Sequence, residues 1–257
     1  CTFYLDMCGE ALFKRGWRRD KGEAPLKENL ASGLLMLAGW QPDMPLVDPF
    51  CGSGTIAIEA ARAACGIAPG LNRRFLFENF SDFERDVFEE IKDDARAAVN
   101  RHAKVLIRAS DISSIVVGKA EENARAAGLS DLLEDGRLSF TQCDARKITA
   151  PAASGLVIAN PPYGEQSNPK SASVASMMKD VSDNLKHNFS GWTAWLLTSD
   201  RARCRFSTAR LSAASSSSTW CAEAFAARKP PNLPRLNKEA RAWACGGRFA
   251  ERPSAFF

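Results

Sequence analysis

Pro45-Leu46-Val47-Asp48-Pro49-Phe50-Cys51-Gly52-Ser53-Gly54-Thr55 is the stretch on which the fold turns. Its first half is short and apolar, like a strand buried on both faces. Its second half sets two glycines where the chain turns into an Ala/Ile-rich helical segment reaching about Ala64. Strand, glycine loop and helix together open a nucleotide-binding α/β sheet. Upstream, beyond Pro25, Leu30, Leu34 and Leu37 recur at helical spacing between Lys27 and Trp40, with Gly39 at the end. Downstream, Val105-Leu106-Ile107 leads to Ser110-Asp111, and a helix through Ala120, Asn123 and Ala127 stops at Gly128. Further strands are predicted at Leu138-Ser139-Phe140, at Leu156-Val157-Ile158-Ala159 and from Trp192 to Leu197. The alternation predicts an α/β fold with a mostly parallel, twisted sheet and helices on both faces.

The flanks read differently. Thr2-Phe3-Tyr4-Leu5 and Ala11-Leu12-Phe13-Lys14 straddle the turn-prone Asp6-Met7-Cys8-Gly9, which predicts a hairpin followed by a linker over residues 1–26. The central domain then covers 27–200, with an insertion at 66–102. In that insertion Ser81 and Glu84 have capping-box spacing, and Phe83, Val87, Phe88 and Ile91 give the helix behind them an apolar face. Residues 201–257 contain no Val, Ile, Tyr or Met but do contain Ser215-Ser216-Ser217-Ser218 and Pro230-Pro231. That composition predicts no β-strand, and its abrupt onset reads as translation out of frame.

Composition narrows the function. The chain has 257 residues, 45% of them apolar, enough for a sizeable core. It has no run of 18 apolar residues and no basic-apolar-small leader pattern, so the expected compartment is the cytoplasm, with no membrane partner. The 8 cysteines form no C-x-x-C pair and no histidine completes a zinc site, so reduced thiols and no metal are expected. The two histidines, His102 and His187, lie outside every motif. The net charge of +4 belongs to the tail: residues 1–200 carry 23 Lys+Arg against 27 Asp+Glu, whereas 201–257 carry 11 against 3. Overall charge therefore says little about the ligand of the central domain.

Three motifs carry chemistry. The glycine loop lacks both the G-x-G-x-x-G of dinucleotide sites and the Gly-Lys-Ser/Thr of a P-loop. Asp48 before it would repel a phosphate but can accept from an amino group, so a cofactor bearing an ammonium and a carboxylate fits; a plain tight turn is the simpler alternative. Asp111 at a strand end suits the two hydroxyls of a ribose, and Asp144 in Gln142-Cys143-Asp144-Ala145 suits an adenine amino group. Either could instead be a helix cap. The most specific motif is Ile158-Ala159-Asn160-Pro161-Pro162-Tyr163-Gly164. Its prolines fix an extended path on which the Asn160 carboxamide and the Pro161 carbonyl can converge as acceptors for one NH₂ group, while Tyr163 can stack on a planar substrate.

Together these motifs resemble those of the amino-group methyltransferases. The fuller resemblance, over residues 3–200, is to the bacterial 23S rRNA guanine-N2 methyltransferases, often labelled N6-adenine-specific DNA methylases. It also rests on Leu5-Asp6, Lys14-Arg15-Gly16-Trp17-Arg18, Ala24-Pro25-Leu26-Lys27-Glu28-Asn29-Leu30-Ala31 and Ile67-Ala68-Pro69-Gly70-Leu71-Asn72-Arg73. The resemblance implies a Rossmann-like, S-adenosylmethionine-dependent methyltransferase domain over 27–200. Its cofactor would be held by Asp48, Pro49, Phe50, Cys51, Gly52, Ser53, Gly54 and Thr55, by Glu28 and Asn29, by Asp111 and Ile112, and by Asp144 and Ala145. Catalysis would fall to Asn160, Pro161, Pro162 and Tyr163. It further implies large-subunit ribosomal RNA as partner, targeting by an N-terminal RNA-binding THUMP domain that would precede residue 1, and a closing antiparallel strand pair that residues 201–257 do not resemble. Rival expectations are methylation of adenine N6 or of a protein glutamine amide, and a binding or assembly factor without turnover.

Overall fold

A computed structural model describes residues 1–18, 25–162, 171–197 and 206–210. Five strands run parallel: β1 (Leu46–Asp48), β2 (Ile107–Asp111), β3 (Leu138–Gln142), β4 (Leu156–Ala159) and β5 (Thr193–Leu197). A sixth, β6 (Phe206–Arg210), pairs antiparallel with β5, giving the order β3-β2-β1-β4-β5-β6. The order reverses between β1 and β4. In open α/β sheets, ligands settle at the carboxyl ends of the strands at such a point.

Alternation along the strands explains the two layers. Leu46, Leu156 and Ile158 point into one cluster, with Ala31 and Leu35 of α1 (Glu28–Leu37), Ile56 and Ile58 of α2 (Thr55–Ala64), and Val117 and Ala120 of α4 (Ser114–Ala126). Val47 and Val157 point the other way, against Val181 and Leu185 of α6 (Ser171–Asn188), Phe189 and Trp192. A period of two on a strand sends neighbours to opposite faces, so a continuous apolar run is what a doubly covered strand requires. The short α5 (Ser130–Glu134) follows Gly128, whose φ of +80° lets α4 end as expected.

Three expectations are corrected. Residues 1–18 contain no strand: Phe3, Tyr4 and Leu5 are 90%, 94% and 73% exposed, and a hairpin without a face to bury is not stable alone. Only the turn is realised, with the Asp6 carboxylate accepting from the amides of Cys8 and Gly9. Trp17, by contrast, is core, 2% exposed. In the insertion, α3 (Arg85–Ala97) has no capping hydrogen bond from Ser81. The reaching carboxylate is that of Glu78, which accepts from the Phe75 amide at 2.7 Å in the preceding turn. Phe88 joins Phe75, Phe77 and Phe83 in an aromatic cluster, but Val87 and Ile91 stay exposed. Finally, β6 lies where no strand was expected. Phe206-Ser207-Thr208-Ala209-Arg210 has neither an apolar run nor apolar/polar alternation, and it is a strand through its antiparallel pairing with β5. It covers the edge that β5 would otherwise expose. The rest of residues 201–257 lies outside the described residues.

Candidate active site

The glycine loop is shaped by its neighbours. Cys51 N–H donates to the Ser110 carbonyl at 2.9 Å, which ties the loop to β2, and Gly54 N–H donates to the Cys51 carbonyl at 2.8 Å. Gly54 has φ +85°, and a Cβ there would lie 3.0 Å from Phe140, 3.1 Å from Ala120 and 3.2 Å from Ile58. Backbone conformation and packing thus both demand glycine. Asn123, fully buried on α4, donates to the Ser53 carbonyl at 3.1 Å. Its position among the small residues of that helix was legible, but its role was not.

Asp48 ends β1 and is 1% exposed. One carboxyl oxygen accepts from the Phe50 amide at 3.2 Å, while Oδ2 is buried with no partner among the described residues. Burial pushes its pKa up to about 8, helped by the nearby charge of Asp111 and opposed by the Phe50 hydrogen bond. A buried acceptor without a donor is costly, so this oxygen suits a ligand that brings an N–H, above all a cationic one.

Asp111 ends β2 and binds the loop directly: its Oδ2 accepts from Gly52 N–H at 3.2 Å and its Oδ1 from Ser113 N–H at 3.0 Å. The cap of α4 is the Ser113 hydroxyl, which accepts from the Val116 amide. Asp111 therefore joins two sides of the crevice, and Ile112 beside it is 67% exposed. An apolar side chain held in the open there offers a face to a flat ring.

Other expected residues are differently engaged. Asp144, just past β3, is gripped by Arg146, whose Nε lies 3.0 Å from both oxygens, and these bonds hold its pKa down to about 2. Ala145 is buried, and its carbonyl accepts from Asn184. Glu28, 4% exposed at the start of α1, accepts from Arg18 Nε at 2.8 Å, while Asn29 is exposed. The same guanidinium donates to the hydroxyls of Ser53 and Thr55. Arg18 is a site residue that sequence reading left without a role. Its signals are its place in Lys14-Arg15-Gly16-Trp17-Arg18, which the family resemblance includes without a role for it, and an aromatic neighbour in a segment without periodicity.

β4 neighbours β1, with Leu46 level with Leu156 and Val47 with Val157. Asn160, one residue past β4, therefore stands at the same edge as Asp48. It is half-buried, Pro161 is buried and Pro162 is exposed; Tyr163 lies outside the described residues. Among the described residues no group of three or more His, Cys, Asp or Glu could hold a metal. No described helix is long and apolar enough to cross a membrane.

Comparison with known proteins gives the family of the fold. The family model described as "RMKL-like, methyltransferase domain" matches residues 15–219, so the family likeness begins at the seat of Trp17 and Arg18 and runs through β6 rather than stopping at 200. The ribosomal RNA large subunit methyltransferase K/L of Shewanella pealeana is 42% identical over 204 residues, 77% of this chain and 28% of that protein. The crystal structure of SMU.472 complexed with SAH superposes with a TM-score of 0.70 at 33% identity, covering 76% of this chain and 49% of that one. A Listeria monocytogenes structure named as a predicted N6-adenine-specific DNA methylase gives 0.69 at 36%, covering 76% and 50%. The chain thus spans about a quarter of the K/L relative and half of the solved structures. Its α/β sheet is the Rossmann-like fold of these methyltransferases, and the chain belongs to the RMKL-like methyltransferase domain family.

Proposed function

We propose that the chain transfers a methyl group from S-adenosylmethionine to the N2 amino group of a guanine in 23S rRNA. The observation that carries this reading is the unpartnered, buried Oδ2 of Asp48 at the point of strand reversal, on the same sheet edge as Asn160-Pro161. When bound, S-adenosylmethionine supplies an electrophilic methyl group on a sulfonium sulfur. Asp48 receives the ammonium of its methionine part, Asp111 takes the ribose hydroxyls with its remaining lone pairs, and Ile112 lies against the adenine. Glu28, engaged by Arg18, shapes the floor beside the loop instead of meeting the ligand with a free carboxylate. Asp144 would meet the adenine amino group by giving up one of its bonds to Arg146, which fill both of its oxygens.

At the acceptor side the Asn160 carboxamide and the Pro161 carbonyl accept the two hydrogens of the substrate NH₂. That turns its lone pair out of the ring plane and shares the positive charge that develops as nitrogen bonds carbon. Pro162 stiffens the path and Tyr163 stacks on the base. As the nitrogen–carbon bond forms, the methyl carbon–sulfur bond would break with its electron pair left on sulfur, S-adenosylhomocysteine would leave, and the proton released from nitrogen would pass to solvent.

The rRNA substrate is supported by the name of the K/L relative, and the guanine-N2 target by the motif resemblance. Ribosomal RNA is then the macromolecular partner, met in the cytoplasm and delivered by an RNA-binding segment outside this domain. A second reading, methylation of adenine N6, is favoured by the name of the Listeria structure and uses the same acceptor pair. Incubation with methyl-labelled cofactor and unmodified 23S rRNA, then nuclease digestion and nucleoside mass spectrometry, separates them. N2-methylguanosine is expected. Labelled N6-methyladenosine moves the assignment to the second reading, and label on glutamine in protein removes both.

A further inference from the structure

Residues 15–18 carry a polar network that the transfer step does not explain. Trp17 is buried and donates to Glu59 at 3.3 Å, which fixes the segment against α2. Arg18 stacks over the Trp17 ring and makes four hydrogen bonds: Nε to Glu28 at 2.8 Å, one terminal nitrogen to Ser53 Oγ at 2.7 Å, the other to Thr55 Oγ1 at 2.9 Å and to the Leu26 carbonyl at 3.2 Å. One planar group thus spans α1, the glycine loop and the first residue of α2. A guanidinium only donates, so both hydroxyls must accept from it. Each hydroxyl has a single proton, which is thereby directed away from Arg18.

We propose that Arg18 is a positioning residue for the methionine end of the cofactor: it fixes the Ser53 and Thr55 hydroxyls as donors, so that the loop receives a carboxylate beside the ammonium held by Asp48. Glu28 balances the charge of Arg18, which keeps the guanidinium in the plane that serves both hydroxyls. A lysine cannot do the same, because a point ammonium lacks the flat fork that reaches three elements at once.

This rests on the methyl-donor reading and is tested by ligand binding rather than turnover. Arg18→Met alone leaves Glu28 buried without its cation and can unfold the protein, so the informative variant is Arg18→Met with Glu28→Gln, which removes both charges together. Calorimetry compares two probes on each protein: S-adenosylhomocysteine, which carries the ammonium and carboxylate, and 5′-methylthioadenosine, which lacks both. The double variant and Arg18→Lys are expected to bind S-adenosylhomocysteine at least tenfold more weakly and 5′-methylthioadenosine within twofold of wild type. Ser53→Ala should show the same selectivity with a smaller loss. Equal loss for both probes would mean a purely structural role, and no loss for either would mean no role; each overturns the proposal while leaving the methyl-donor reading intact. A wild-type protein that binds neither probe overturns that reading and this proposal with it.

Discussion

Asp48→Asn gives the sharpest view of the donor site, because the carboxyl must be ionised to pair with a cation and the fold resists ionising it. Burial raises its pKa to about 8. At pH 7 roughly one molecule in ten then carries the charge, and at pH 6 about one in a hundred, so pairing costs about 1.4 kcal/mol per pH unit below 8. Affinity for S-adenosylhomocysteine should rise about tenfold from pH 6 to pH 7 and flatten toward pH 8, with close to one proton released on binding at the acid end. Calorimetry in two buffers of different ionisation enthalpy measures both quantities. The ligand's own α-amino group titrates near ~8 and acts in the opposite sense, but equally in both proteins, so the comparison isolates the carboxyl. Asp48→Asn should bind weakly with neither the rise nor the proton release. The same shift sets the stability of the ligand-free protein. The folded carboxyl keeps a proton that the unfolded chain gives up, so its contribution is complete below about pH 4 and is lost as pH rises to about 8. In Asp48→Asn that decline should vanish. A wild-type affinity that does not change with pH, or the same pH profile in Asp48→Asn, would refute the reasoning.

Asp111→Ala should weaken S-adenosylhomocysteine binding by about 1.5–3 kcal/mol, read by calorimetry, since hydrogen bonds to a charged group have that strength. Trp17→Ala should lower stability by about 3–5 kcal/mol in denaturant titration, as for a buried aromatic residue, whereas Phe3→Ala, at a residue 90% exposed, should change it by less than about 0.5 kcal/mol. Gly155→Ala places a Cβ 2.5 Å from the Pro45 carbonyl oxygen and 2.6 Å from the Trp192 ring, and should cost about 1–3 kcal/mol or more, seen as a lower Tm.

What could be read in advance follows the physics of each element. Strands buried on both faces announce themselves as apolar runs, as β1 and β4 do, whereas β2 begins only at the last residue of Val105-Leu106-Ile107 and continues through Arg108 and Ser110, and β3 runs two residues beyond Leu138-Ser139-Phe140 into exposed Thr141 and Gln142. That Asp48 ends a strand and that glycines turn the chain after it were legible from a short apolar run followed by Gly52 and Gly54, both of which have positive φ. Trp17 and Arg18 were not, since their burial comes from contacts with α1 and α2 that no local pattern encodes. β6 has no apolar run or alternation of its own to read, and pairing with β5 supplies the stability that its composition did not promise. Asp144 was placed correctly past β3, but its partner Arg146, two residues away, is a contact made possible only by the turn between them.

In the proposed reaction labour is divided along one sheet edge: Asp48 and Asp111 would hold the donor, and Asn160 with Pro161 the acceptor amine. Single-turnover transfer and S-adenosylhomocysteine affinity measured on the same preparation of Asn160→Ala test that division most directly. The rate is expected to fall by about 10²–10³, the scale on which one preorganised charge-stabilising group acts, with affinity for S-adenosylhomocysteine unchanged. Transfer at close to the wild-type rate, or a loss of S-adenosylhomocysteine binding as large as the loss of rate, would contradict it.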